Sequence, residues 1–192
     1  MGGIAGVLHL NGSVDAAERA AVGDGPSVSR PDLLLSARPR STLAESARFV
    51  VTVAGHFDRA PVSGQSAAQT LLDTWARLGS AALDQVEGAW VAAVWDKDER
   101  CLHLLRDPFG IRRLYFSRKG DRFAFATRPR RLCALPWVSR ELAREHLSEF
   151  LAFRYVHAPR TLFRDIQVVP AGHHLRFDGD VSIDPWFRLR YA

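Results

Sequence analysis

Leu104-Leu105-Arg106-Asp107-Pro108-Phe109-Gly110-Ile111-Arg112-Arg113-Leu114-Tyr115-Phe116 is the stretch on which the reading of this chain turns. Strand-length apolar runs flank it: Gly88–Trp95 and Cys101–Leu105 before, Leu114–Phe116 and Phe123–Ala126 after. All are rich in Val, Leu, Phe, Tyr or Trp, the residues that suit a pleated, half-buried surface. Between them, Asp107-Pro108-Phe109-Gly110 predicts a sharp turn. Pro108 presets φ for a turn position, and Gly110 is free to take a positive φ. The Asp107 carboxylate is placed to accept bonds from the amides that the turn frees. Taken alone, the stretch reads as a hairpin within a sheet.

The same residues resemble the Arg-Asp-x-Phe-Gly-x-x-x-Leu-Tyr signature of class II glutamine amidotransferase domains, in particular the N-terminal half of asparagine synthetases. Arg106, Asp107, Phe109, Gly110 and Tyr115 carry it. Leu83-Asp84-Gln85-Val86-Glu87-Gly88-Ala89-Trp90, running into Val94-Trp95-Asp96, is similar to the family's Leu-x-x-Leu-x-Gly-x-Phe…Trp-Asp. Phe123-Ala124-Phe125-Ala126-Thr127 resembles Phe-Ala-Phe-Ala-Ser, and Pro170-Ala171-Gly172-His173-His174 resembles Pro-Pro-Gly-His. Ala158-Pro159-Arg160-Thr161-Leu162-Phe163 and the opening Gly3-Ile4-Ala5-Gly6 are also family-like. The resemblance implies an α+β fold, the four-layer αββα sandwich of antiparallel sheets found in N-terminal-nucleophile (Ntn) hydrolases. It runs over nearly the whole chain and is weakest from about residue 11 to 48.

At 192 residues and 47% hydrophobic composition, the chain suits one domain with a substantial core. The domain reading is a core over about 1–139, with 140–192 leading toward a synthetase domain. No apolar run approaches the ~20 residues of a membrane span. The start lacks the basic and apolar regions of a secretory signal. The net charge is +5 and the pI near 9.9. The arginines are scattered among acids, however, and Lys97 and Lys119 are the lysines. That pattern argues against a nucleic-acid surface. Cys101 and Cys133 each sit among apolar residues, as core cysteines do, and set up no metal or disulfide framework. The expected setting is cytoplasmic, with neither membrane nor nucleic acid as partner.

Along the chain, Gly3–Leu10 reads as a strand, Asn11-Gly12 as a turn, Asp15–Val22 as a short helix and Gly23–Arg30 as a loop. Leu33–Leu35 and Phe49–Val53 read as strands and Ala54–Gly64 as a polar loop. Ser66–Leu78 is the clearest helix. Ser66 is its cap, Gly79 follows its end, and Leu71, Leu72, Trp75 and Leu78 form one apolar stripe. A shorter helix is predicted over Ala81–Val86. A second long one is predicted over Ser139–Phe153, with Leu142, Leu147, Phe150 and Leu151 on its buried side. Gly172–Phe177 and Val181–Ile183 read as a hairpin around Asp178-Gly179-Asp180. Adjacent strand residues point to opposite faces, so His173 and His174 do not share a metal.

In the resembled family, a Cys after Met1 becomes the N-terminus. Its thiol attacks the glutamine side-chain amide while its own α-amino group serves as base. Here that position is Gly2, which carries no nucleophile. The family's oxyanion Asn-Gly corresponds to Ala54-Gly55, followed by His56. Gly55 keeps a backbone donor, while Ala54 lacks the side-chain one. The Asp that holds the glutamine amino group corresponds to Ala67. Arg38 and Arg40 lie near the expected carboxylate clamp, and neither is assigned to it. His56 is read as a loop histidine and Asp107 as a carboxylate ordering its own turn.

No Ser-Gly-Gly-x-Asp-Ser nucleotide loop occurs. The resembled family carries that loop in a C-terminal synthetase domain, so the resemblance implies ATP and Mg for a synthetase domain outside this chain, with no cofactor or metal expected in the chain itself. The resemblance implies a glutaminase-inactive scaffold of an amide-forming enzyme of lasso-peptide cyclase or lactam synthetase type. Its partner would be a synthetase domain in cis or a subunit in trans, and a homo-oligomer is possible. The alternatives are the N-terminal part of an ammonia-dependent asparagine synthetase and a stand-alone interaction domain. Trp186, Phe187 and Tyr191 sit near the chain end. Some are expected to cover the domain's own core and others to face the partner.

Overall fold

The structure is a computed structural model that describes residues 3–23, 25–61 and 64–189. The apolar alternation of the sequence becomes two six-stranded antiparallel sheets. In chain order the strands are β1 (Ile4–His9), β2 (Ser27–Ser29), β3 (Leu33–Ala37), β4 (Ser41–Glu45), β5 (Phe49–Arg59) and β6 (Glu87–Asp96). Then follow β7 (Cys101–Arg106), β8 (Tyr115–Lys119), β9 (Arg122–Ala126), β10 (Gln167–Val168), β11 (His173–Phe177) and β12 (Val181–Pro185). The helices are α1 (Ala16–Val22), α2 (Ala67–Leu78), α3 (Pro129–Leu132) and α4 (Leu147–Phe153). One sheet has the order β10-β8-β9-β1-β3-β2 and the other β12-β11-β7-β6-β5-β4.

Alternate residues of each strand serve different layers. Ile4 and Leu8 of β1, Val50 of β5, Leu102 and Leu104 of β7, and Phe123 and Phe125 of β9 fill the space between the sheets. There Phe123 stacks on Phe177 at 4.5 Å. Ala5 and Val7 face outward with Val22, Leu132 and Trp137. On the other side, Val51, Val53, Ala92 and Val94 take Leu71, Leu72 and Trp75 of α2. The result is helix, sheet, sheet, helix. Local chemistry sets the helix starts. Asp15 and Glu18 form a reciprocal capping box on α1, and the Ser66 side chain accepts from the Gln69 amide at the start of α2.

Several expectations need correction. β7 and β8 do not form a hairpin: they lie in different sheets, and residues 107–114 carry the chain from one to the other. Ala54–Arg59 is strand rather than polar loop, because β5 continues beside β6 as far as the Arg59–Glu87 pairing. Within Gly23–Arg30, Ser27–Ser29 pairs with β3, and β4 was not foreseen. Ala81–Val86 falls mostly in a 3-10 stretch over Gly79–Gln85. Leu78 is exposed at the end of α2. The helix predicted from Ser139 is confined to a 3-10 turn, Arg144–His146, followed by α4. Leu142 instead bridges to Phe163. Leu142, Leu147 and Leu151 are exposed because nothing among the described residues covers that side.

Residues 167–185 add β10 to one sheet and β11–β12 to the other, so the late strands belong to the sandwich. Trp186 follows them inward, stacked on Trp90 at 6.1 Å. Tyr191 lies outside the described residues. No helix among those residues is long and apolar enough to cross a membrane.

Candidate functional site

β4, β5 and the start of α2 enclose a groove of about 570 Å³. Thr42, Gly55, His56, Ala67 and Thr70 line it, so three of the residues matched to the glutamine pocket come together. Gly55 is required by geometry. Its φ is +128°, and a Cβ there would stand 2.1 Å from the Ala89 carbonyl oxygen. His56 projects into solvent and pairs with Asp58 at 3.3 Å. It therefore lies on a strand with an acidic partner, not alone on a loop. The Thr42 hydroxyl accepts from the Ala68 amide at 2.9 Å and fixes α2 against β4.

Ala54 is fully buried, with its methyl in the inter-sheet core. It pairs with Ser41 across β4–β5. The Ser41 amide donates to the Arg38 carbonyl (2.8 Å), and the Arg38 amide donates to the Gly3 carbonyl (2.9 Å). The start of β1 and the Ala54 corner are thus joined by a short backbone relay. Gly2 lies outside the described residues. Among the described residues, the groove lining offers an imidazole, a carboxylate, a guanidinium and hydroxyls, but no thiol.

Arg106 and Asp107 form a second constellation. Arg106 is buried, and its guanidinium donates to three carbonyls, those of Arg112 (2.6 Å), Val169 (2.6 Å) and Gly110 (2.7 Å). Burial pulls it below its ordinary pKa, and Asp107 opposes that pull. Asp107 is fully buried and accepts from the amides of Phe109 (3.2 Å), Ile111 (3.0 Å) and Arg112 (3.2 Å). Its carbonyl accepts from Gly110 and Gly172, and the Trp186 indole donates to the Arg106 carbonyl at 3.1 Å. The pair locks the crossing between the sheets, and its polar capacity is spent on the backbone. Gly110 has φ +63°, and a Cβ there would meet the Arg106 guanidinium at 2.8 Å. Phe109 is exposed beside Phe187, while Tyr115 is half-buried in β8.

A scan of protein-family models matches residues 56–187 to the glutamine amidotransferase domain. The chain belongs to that family. Among curated proteins it is similar to asparagine synthetase [glutamine-hydrolyzing] 1 of Bacillus subtilis, at 28% identity over 125 residues. That match covers 64% of this chain and 20% of the relative. It is also similar to asparagine synthetase [glutamine-hydrolyzing] 3 of the same organism, at 26% identity over 113 residues. That match covers 58% of this chain and 18% of the relative. The chain therefore matches only about a fifth of the length of these relatives.

Among solved structures, glutamine phosphoribosylpyrophosphate amidotransferase from B. subtilis superposes with a TM-score of 0.55 at 13% identity. It covers 96% of this chain and 49% of that one, and the likeness concerns the fold. The domain is thus an N-terminal class II amidotransferase domain with the Ntn-type sandwich. The family match takes in His56, Ala67 and every residue of the Arg106–Tyr115 signature, whereas Gly2, Ala54 and Gly55 precede it.

Two side-chain clusters of this family member were not read from sequence. His103 Nδ1 meets His174 Nε2 at 2.8 Å beneath Trp75. Only the register of β7 against β11 brings them together. Near α4, Glu149 bonds the His157 ring, which faces the Tyr155 hydroxyl at 2.9 Å, and pairs with Arg160 at 3.1 Å. The acidic and basic residues of 149–160 were the available signal, hidden because a longer helix was expected. Among the described residues, no group of three or more His, Cys, Asp or Glu is placed to hold a metal ion.

Proposed function

We propose that this chain is a glutaminase-silent class II amidotransferase domain that serves as a scaffold for an ATP-dependent, amide-forming synthetase. The observation that carries the reading is the groove around Gly55. It holds Gly55, with the positive φ that the resemblance matches to the oxyanion glycine, and the Ala67 methyl lines it where the resemblance places a carboxylate, while the neighbouring Ala54, matched to the amide donor, turns its methyl into the core. Gly2 stands where the resemblance places the thiol. Without these three groups the domain lacks the nucleophile, one of the two oxyanion donors and the anchor for the amino group of glutamine. An enzyme whose attacking amine belongs to its own substrate needs no ammonia, which favours a lasso-peptide cyclase or lactam synthetase. ATP and Mg belong to the synthetase, in cis or in trans. The exposed side chains of Leu142, Leu147, Leu151 and Phe153 supply an apolar face for it.

The purified chain is expected to release no glutamate from glutamine, as read by a coupled glutamate assay. Gly2→Cys alone should leave it inactive, because the groups of one catalytic unit fail non-additively. Turnover by the unaltered chain at the rate of a Cys-bearing relative would sink the reading. The curated relatives are named glutamine-hydrolyzing asparagine synthetases; taken with the missing glutaminase groups, that name supports a second reading, an asparagine synthetase fed by free ammonia. Pairing the chain with its synthetase and supplying aspartate, ATP and ammonium separates the two: asparagine formation supports the second.

A further inference from the structure

A cavity of about 380 Å³ opens where α4 and the segment after it meet β8 and β10, and it shares no lining residue with the groove at Gly55. Its volume falls in the range of small-molecule sites. Among the described residues, four arginines line it, Arg106, Arg113, Arg154 and Arg160, and no carboxylate does. They are not equivalent. Arg106 spends its donors on three carbonyls. Arg160 is paired with Glu149, which is also taken up by His157. Arg113 and Arg154 are exposed at this cavity, and neither has an acidic partner among the described residues. Arg113 has the Tyr115 hydroxyl at 3.5 Å as its polar neighbour.

Apart from Thr161, the rest of the lining is apolar and aromatic, with Phe150, Phe163 and Val168 among it. Like charges gathered round one concavity repel one another and raise the local concentration of anions. The backbone adds a further observation. Arg154 ends α4 in the left-handed conformation, φ 63° and ψ 12°, with its amide bonded to the Phe150 carbonyl. Where a helix ends in this conformation the residue is usually glycine, which adopts it at lower cost. Here the chain keeps an arginine there, and its side chain reaches the cavity.

We infer that this cavity binds a small organic anion. A carboxylate or phosphate would be gripped by Arg113 and Arg154, with an apolar body lying against Phe150, Phe163 and Val168. Arginine suits the task because its planar fork matches both oxyanions. This site goes beyond the scaffold reading and depends on neither glutaminase silence nor a synthetase partner.

The test titrates the 192-residue chain with phenyl phosphate, phenylacetate, inorganic phosphate and benzyl alcohol, followed by amide chemical shifts. Phenyl phosphate or phenylacetate should saturate one site, with shifts clustered at residues lining the cavity. Inorganic phosphate should bind more weakly and benzyl alcohol not at all. Which anion wins tells phosphate recognition from carboxylate recognition. Arg113→Gln and Arg154→Gln should each weaken binding about tenfold or more, the worth of one charge-assisted bond. Arg154→Gly is the stronger variant, since it should melt no lower than the parent while losing the same affinity. Absence of saturation by both aromatic anions at 10 mM, on the order of the weakest affinities worth calling binding, would overturn the site. So would affinities that ignore all three substitutions.

Discussion

Asp107→Ala is expected to cost about 4 kcal/mol of folding stability, on the scale of several buried amides losing a charged acceptor. The carboxylate receives three amides from the turn that follows it and has no exposed surface. Removing it strands those amides inside the crossing between the sheets. Asp107→Asn keeps one acceptor oxygen and should lose less. The measurement is the urea midpoint of the three proteins. An unchanged midpoint for Asp107→Ala, with an altered synthetase-dependent reaction, would give Asp107 a chemical role in place of this structural one.

Acidification should weaken the fold in a window set by the paired histidines. His103 titrates at about 4 instead of 6.5, held down by burial first, then by His174 and Arg176. His174 is also lowered, again mainly by burial, with Asp184 opposing. Above pH 6.5 the folded and unfolded chains both carry neutral rings, and the pair's contribution is complete. As pH falls toward 4, the unfolded chain takes up protons that the folded chain refuses, and stability drops. The gap at His103 is worth about 3 kcal/mol. Asp96 belongs to a lower window. Burial raises its pKa, but Arg48 and the Glu99 and Asp98 amides more than offset that, so its contribution fades below its ordinary 3.8. Denaturation curves at pH 7, 5.5 and 4.5 test the assignment. His103→Gln, which keeps a polar partner for His174, should flatten most of the loss. Parallel losses in parent and variant would place the acid sensitivity elsewhere.

What could be read from sequence was what short segments decide for themselves. Asp107 and its amides lie within five residues of one another, so the cradle was legible from turn chemistry. The capping of α2 by Ser66 was legible for the same reason. Which sheet a strand joins is not a local property. Nothing in Pro108 or Gly110 says that β7 and β8 part company, because the same turn also serves a hairpin. Residues 54–59 looked like a loop because Gly55 breaks the apolar alternation. Its positive φ is accommodated inside the strand by close pairing with Ala89 and Trp90. The spacing of Leu142, Leu147 and Leu151 is helical, but a stripe becomes a buried face only when something covers it. His103 and His174 meet through strand register, which no window of sequence contains.

In the first sheet, β1 is not an edge strand. It lies between β3 and β9, and Ala5 pairs with both Ser36 and Ala126. During synthesis, β1 and β3 leave the ribosome together, but the other side of β1 waits until the chain has grown to Ala126. For that interval a strand as apolar as Ile4-Ala5-Gly6-Val7-Leu8 offers an open ladder to any neighbouring nascent chain. Such long-range closure makes folding slow. The yield of this protein in a cell is therefore expected to rise with chaperone capacity and slower growth temperature, more than with any gain in the stability of the finished sandwich.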